Sequence, residues 1–289
     1  MRERKDMRKT GKRGRLFLLM GFICLSISVN SINCFARSTT KGGFQNEYGV
    51  FLGVKESRLI NRTKSYKIIV VDAGELSKIT VQQLKSAGHI IYSYLNIGSI
   101  ETYRSYYKKF RPVLLGKYEN WKEERWVDVS DKGWQRYVVK TIAKQIVKKP
   151  IDGFFIDNAD VYERYCKEKI FRGLFSILKD LQIYDKKIII NGGDFFVRRL
   201  ASSGQMQLIS GINQEGVVSC IKDYKKNLFI ANRKTVRNYF TDYIKFVKKR
   251  KKSVYAVEYS RNKRLSKKIT EHAKRYGYSV YISESVALK

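Results

Sequence analysis

From residue 48 to the end of the chain, short apolar runs of strand length alternate with helix-length amphipathic segments, and this alternation limits the fold more than any other feature. The clearest run is Gly153-Phe154-Phe155-Ile156. Pro150 precedes it, and two carboxylates, Asp157 and Asp160, follow it. A run that is apolar at every position is the pattern of a parallel strand buried on both faces. Further strand candidates are 48–53, 67–73, 89–97, 125–129, 187–191, 211–214, 253–259 and 279–283, many rich in Val, Ile, Tyr and Phe. Between them, Trp134, Val138, Ile142 and Ile146 repeat every four residues, with Ser130 or Asp131 as the cap and Pro150 as the stop. A second apolar stripe spans Ile170 to Leu181, and 235–249 and 265–276 read as helices too. The expected class is α/β: a (β/α)8 TIM barrel in a single domain over residues 48–289. Nine strand candidates are one more than a barrel needs, so 48–53 or 125–129 is expected to be an extra edge piece.

The N-terminus reads differently. Eight Lys/Arg and two acids fill the first 15 residues, Leu16 to Val29 is apolar, and Cys34-Phe35-Ala36 offers small residues at a cleavage point. Residues 1–36 are expected to be a signal peptide and 37–47 a linker, giving a secreted or cell-surface protein. The apolar run is shorter than the roughly 20 residues of a membrane span, so cleavage would leave no stable span; the other reading is an uncleaved N-terminal anchor. Cys166 and Cys220 remain after cleavage, as one disulfide or as two free thiols.

The formal charge is +33, of which about +27 stays with the mature chain. Such a charge favours anionic surroundings, including an anionic cell-wall polymer as partner, and argues for a neutral or anionic glycan over a cationic one. The densest basic run, Lys245 to Lys252, reads most simply as a solvated helix face.

The strand ends share a further pattern. Asp72, Asn96, Asp157, Asn191, Glu215 and Glu258 each fall within one residue of the carboxyl end of a strand candidate, with Tyr94, Glu101, Asp160 and Asp194 close by. Active sites of α/β barrels lie at that end. A rim of carboxylates, amides and tyrosines suits a sugar, whose hydroxyls need hydrogen-bond partners and whose flat faces stack on rings. Taken singly, Asp72 and Asp128 also fit the cap of a following helix.

These residues carry a resemblance. IVVDAG at 69–74, YLNIGSIETYR at 94–104, GFFIDNADVY at 153–162, INGGDFF at 190–196, INQEGVV at 212–218 and YAVEYS at 255–260 stand in the order of the blocks of glycoside hydrolase family 114, which includes endo-α-1,4-polygalactosaminidases. The likeness spans about residues 48–284. It implies a (β/α)8 barrel and an exported glycosidase acting on a polysaccharide, galactosaminan or another amino-sugar or acidic exopolysaccharide. It implies a catalytic pair at Asp157 (nucleophile) and Glu215 (acid/base), with retention favoured. Asp72, Tyr94, Asn96, Glu101, Asp160, Asn191, Asp194 and Glu258 are the substrate-binding or supporting candidates. Two places depart from the family pattern: Asp194 stands where relatives often have Glu, and Phe51-Leu52-Gly53 replaces an amide-bearing run.

Other classes fit less well. His89 and His272 form no HxxxH or HxH pair, so no metal or other cofactor is expected. There is no GxSxG elbow and no phosphate-binding GxxxxGK[ST] loop. The leader and the lack of a recognised nucleic-acid-binding pattern argue against nucleic acid as partner. The alternative to an enzyme is a non-catalytic barrel that docks on an anionic cell-surface polymer through its basic surface.

Overall fold

The computed structural model describes residues 43–119 and 121–289. The expected leader and its cleavage point lie outside these residues. Eight parallel strands form the central sheet: β1 (Asn46–Val50), β2 (Tyr66–Val71), β3 (Ile90–Asn96), β4 (Gly153–Asp157), β5 (Lys187–Asn191), β6 (Gly211–Glu215), β7 (Ser253–Tyr259) and β8 (Ser279–Ser283). They pair in sequence order, and β1 returns beside β8. No ladder of backbone bonds joins β1 to β8. Phe51 meets Tyr281 there at 5.4 Å between ring centroids, and Gly53 N–H donates to Leu288 O at 3.2 Å. The result is a nearly closed (β/α)8 barrel.

Helices α1 (Glu56–Thr63), α2 (Lys78–Ser86), α3 (residues 132–146), α4 (Glu168–Leu181), α5 (Asp194–Ser202), α6 (Lys234–Lys249) and α7 (Lys263–Tyr276) connect successive strands. Asp131, not Ser130, caps α3 by accepting from Trp134 N–H at 2.6 Å. Helix α3 carries a π segment at Val138–Ala143, an interruption that the four-residue repeat does not announce. The stripe on α4 is buried at Ile170, Leu174, Ile177, Leu178 and Leu181, which seals one side of the strand layer. The predicted spans at 153–157, 187–191, 253–259 and 279–283 match the observed strands, and β1 takes Asn46 and Glu47 from the expected linker.

The ninth strand candidate belongs to an excursion. After β3 the chain forms a three-stranded antiparallel sheet of Ser99–Glu101, Leu114–Lys117 and Glu124–Val127 before α3 begins. After β6 it forms a hairpin, Ser219–Asp223 with Leu228–Ala231. Both excursions follow the carboxyl end of a barrel strand, so both stand over the barrel mouth. Gly98 makes the first possible: a Cβ there would lie 1.8 Å from the carbonyl oxygen of Asn158, so only glycine lets the excursion leave beside the end of β4.

Cys166 and Cys220 are free. Among the described residues no helix is long and apolar enough to cross a membrane.

Candidate active site

A cleft of about 580 Å³ opens at the barrel mouth, within the size range of ligand sites. Asp157 ends β4, Asn191 ends β5 and Glu215 ends β6, so three neighbouring strands deliver three polar side chains to the same floor. The Asn191 amide joins the other two. Its Nδ2 donates to Asp157 Oδ1 at 2.9 Å and to Glu215 Oε1 at 3.0 Å. The two acceptor oxygens are therefore at most about 5.9 Å apart, and about 5 Å at the ordinary angle between amide hydrogens.

A chain of buried groups sets which way that amide faces. Tyr48 OH on β1 donates to Asn213 Oδ1 at 3.0 Å, and Asn213 Nδ2 donates to Asn191 Oδ1 at 2.7 Å. With its oxygen so used, Asn191 must point both N–H groups at the carboxylates. Tyr259 at the end of β7 adds a hydrogen bond from its hydroxyl to Glu215 Oε2 at 2.6 Å. Burial pushes the Asp157 carboxyl up to about 6; the Asn191 and Tyr94 hydrogen bonds oppose this and the Glu215 charge adds to it.

Asp160 stands beside this floor. The turn after β5 uses Gly192 and Gly193, both in the left-handed region at φ near +60°, and Gly193 N–H donates to Asp160 Oδ1 at 2.9 Å. Burial pushes Asp160 up to about 7. Asp72 and Glu101 line the opposite side and are both held by Arg104, at 3.1 and 3.3 Å. Tyr94, on β3 level with Phe155, also lines the cleft.

Three sequence candidates lie away from the cleft lining. Asn96 is buried and locks the turn out of β3, with Nδ2 on Ser99 Oγ at 2.8 Å and Oδ1 on Ser99 N at 3.0 Å. Asp194 sits in the first turn of α5, paired with Arg198 at 3.6 Å and hydrogen-bonded by Tyr239 OH. Glu258 is fully buried. It accepts from Val218 N–H at 2.8 Å, Ser219 N–H at 2.7 Å and Ser219 Oγ at 2.5 Å, and so anchors the root of the hairpin after β6 without a cationic partner. Sequence pattern alone cannot separate these from the lining residues, because successive strand residues face opposite sides and a one-position shift decides which.

The site also uses residues that the strand-end pattern misses. Tyr118, Trp121, Glu123 and Glu124 come from the first excursion and Tyr224 from the hairpin, and all line the cleft. Trp121 and Tyr224 meet edge to face at 6.1 Å, which brings the two excursions together over the floor. Tyr118 stacks on Trp126 at 4.2 Å. The legible signal was the density of aromatic and acidic residues between Tyr118 and Trp126. Among the described residues, seven carboxylates and one guanidinium line the cleft, and no lysine does. This lining is opposite in sign to the charge of the whole chain, on which the expectation of a neutral or anionic glycan rested. The two histidines sit elsewhere, His89 against Tyr66 O at 2.7 Å and His272 between Thr241 and Tyr278.

Residues 36–287 match the sequence profile of glycoside hydrolase family GH114. The chain belongs to this family. It is accordingly a glycoside hydrolase. An uncharacterised protein of Deinococcus radiodurans is 21% identical over 240 residues, 77% of this chain and 74% of that one. The glycoside hydrolase domain of PelA from Pseudomonas aeruginosa superposes with a TM-score of 0.69 at 17% identity, covering 86% of this chain and 96% of that one. Ega3 from Aspergillus fumigatus, in complex with galactosamine, gives a TM-score of 0.66 at 14% identity, over 87% and 95%. Likeness at these identities speaks for the fold. The family membership speaks for the chemistry.

Proposed function

We propose that this family member is an exported glycosidase that cleaves an amino-sugar polysaccharide bearing free amines, with Asp157 as nucleophile and Glu215 as general acid and base. The observation that carries the pair is the single Asn191 amide that holds both carboxylates. Retaining glycosidases keep their carboxyl groups roughly 5–5.5 Å apart, whereas inverting ones need roughly 6.5–9.5 Å to admit a water between them. A ceiling of about 5.9 Å between the bridged oxygens favours retention. The Asn191 hydrogen bond, with the Tyr94 hydroxyl and the Asn158 backbone N–H close by, favours the ionised form of Asp157 against burial. Asp157 attacks the anomeric carbon while Glu215 gives its proton to the leaving oxygen. Glu215 then takes a proton from the incoming water as the glycosyl–Asp157 ester is hydrolysed.

The substrate class rests on charge. A free amine is cationic at neutral pH, and the carboxylate-rich lining of the cleft attracts it. That Ega3 is seen with galactosamine agrees in kind. Export rests on the basic, then apolar, then small-residue pattern of residues 1–36.

The test is reducing-end release from partly deacetylated galactosaminan, from fully N-acetylated glycans and from acidic exopolysaccharides. The wild type is run beside Asp157→Asn and Glu215→Gln, each checked for folding. The expected result is release by wild type alone, on the deacetylated polymer, with retained anomeric configuration by NMR. Release by all three proteins would overturn the assigned pair. Release on the acidic polymers alone would overturn the substrate class.

A further inference from the structure

The strands Ser99–Glu101 and Glu124–Val127 of the first excursion pair antiparallel, and their register sets Glu101 directly opposite Glu124. Like charges at directly opposed positions destabilise such a pair. The two carboxylates differ in what balances them. Glu101 is buried and takes the Arg104 guanidinium at 3.3 Å. Glu124 has no Lys, Arg or His within salt-bridge distance among the described residues.

The position of Glu124 is nonetheless held. Ser99 Oγ accepts from Asn96 Nδ2 and from Asn158 Nδ2, each at 2.8 Å, which leaves its one proton free to turn toward the neighbouring Glu124. Glu124 faces the cleft from its place in the strand, with the Asp157 and Glu101 carboxylates and, more weakly, the Arg104 guanidinium as charged neighbours. A half-buried carboxylate between two others needs a cation if it is to carry its charge, and the nearest one the chain offers, Arg104, is beyond salt-bridge distance and already paired with Asp72, Glu75 and Glu101. What reaches that place is the ligand.

We propose that Glu124 is a specificity-determining residue that receives the ammonium group of an amino sugar lodged beside Asp157. Glu101 is already neutralised by Arg104 and contributes field, not a contact. The inference rests on the reading of the substrate as a polymer with free amines. It goes further by naming the carboxylate that reads the amine. An N-acetylated sugar in the same place offers a neutral amide and leaves Glu124 without its cation.

Direct binding tests it without turnover. Galactosamine, N-acetylgalactosamine and galactose are titrated calorimetrically, at low salt, into the wild type, Glu124→Gln and Glu124→Asp. The wild type is expected to bind galactosamine at least about tenfold more tightly than galactose. Glu124→Gln should lose most of that preference, with its affinity for the two neutral sugars within about twofold of wild type, and Glu124→Asp should keep part of it. Glu124→Gln removes one of two opposed charges, so it should melt no lower than the wild type, and a lost preference then cannot be put down to misfolding. Three results would each overturn the proposal: no galactosamine preference in the wild type (undetectable binding included), an unchanged preference in Glu124→Gln, or equal weakening of all three sugars. A protein that prefers galactosamine through Glu124 yet cuts no amino-sugar polymer would leave this proposal standing and overturn the proposed function instead.

Discussion

The two ends of the barrel carry opposite charge. At the mouth, seven carboxylates face one guanidinium. At the other end, basic residues lead into several strands: Lys64 and Lys67 at β2, Lys148 before β4, Lys186 and Lys187 at β5, and Lys248 to Lys252 before β7. The seven residues of β7 separate Lys252 from Tyr259 at the cleft, a span of roughly 20 Å or more. The Debye length at physiological ionic strength is about 8 Å, so charge at one end is largely screened at the other. A net charge of +33 is therefore no guide to the field inside the cleft. A substrate meets the local field of the groups that line its site, and an average over the chain predicted the wrong sign.

The largest expected effects test whether the acidic mouth is catalytic or only attractive. Asp157→Asn and Glu215→Gln should each lower kcat by about 10³-fold or more, while KM for a deacetylated oligomer changes little. Equal losses in KM with kcat intact would make the two carboxylates binding groups only. Next in size is Asn191→Ala, which releases both carboxylates from their shared amide. Loss of positioning of this kind costs about 10²-fold in kcat, measured in the same assay.

Asn191 also illustrates how much was legible beforehand. The barrel could be read because buried parallel strands are apolar at every position, and each strand had a helix of its own period after it. The floor of the site could be read because barrel chemistry sits at strand ends, and Asp157, Asn191 and Glu215 are strand-end residues. The walls could not. Tyr118, Trp121, Glu124 and Tyr224 stand on excursions whose course over the mouth depends on close approaches such as Gly98 against Asn158, which no periodicity encodes. Glu258 shows the opposite error. It has the right spacing and the right type, but it is buried under the hairpin root, with two backbone N–H groups and a serine as partners.

The pH profile gives a smaller, graded effect. As the proposed nucleophile, Asp157 must be ionised to attack, and burial pushes it up to about 6. The acidic limb of kcat/KM should thus fall roughly tenfold per pH unit below about pH 6. Asn191 donates to the charged form of Asp157 and so lowers its pKa. In Asn191→Ala the same limb should move to higher pH, whereas a limb that stays in place would assign it to another group.

The basic end should be separable from the mouth. Replacing Lys148, Lys187 and Lys249 with Gln should leave kcat/KM on a deacetylated substrate within about twofold, because screening isolates the cleft from them. The same variant should elute earlier in a salt gradient from a phosphate-bearing column, since each lysine removed is one fewer counterion released on binding. A matching fall in kcat/KM would mean that the two ends act on one ligand, and the contrast between them would fail.

The smallest expected effect is on stability, and it tests whether the acidic mouth weakens the fold. Glu124 is pushed up to about 8, mainly by burial and then by Asp157 and Glu101. Its ordinary value is 4.5, so between about pH 4.5 and 8 the unfolded chain releases this proton before the folded one does. The folded state then binds more protons than the unfolded state, and stability falls as pH rises through that window. Glu124→Gln removes this contribution. It should gain nothing near pH 4.5 and a few tenths of a kcal/mol by pH 8, after allowance for partial exposure, which is about 1–2 °C in Tm. Thermal melts of both proteins across that range give the comparison. A gain that grows with pH would mean that the opposed glutamates are kept in spite of the strain they add. A flat difference would mean that Glu124 already has its counter-charge in the free protein, and the mouth would then be less acidic than its lining suggests.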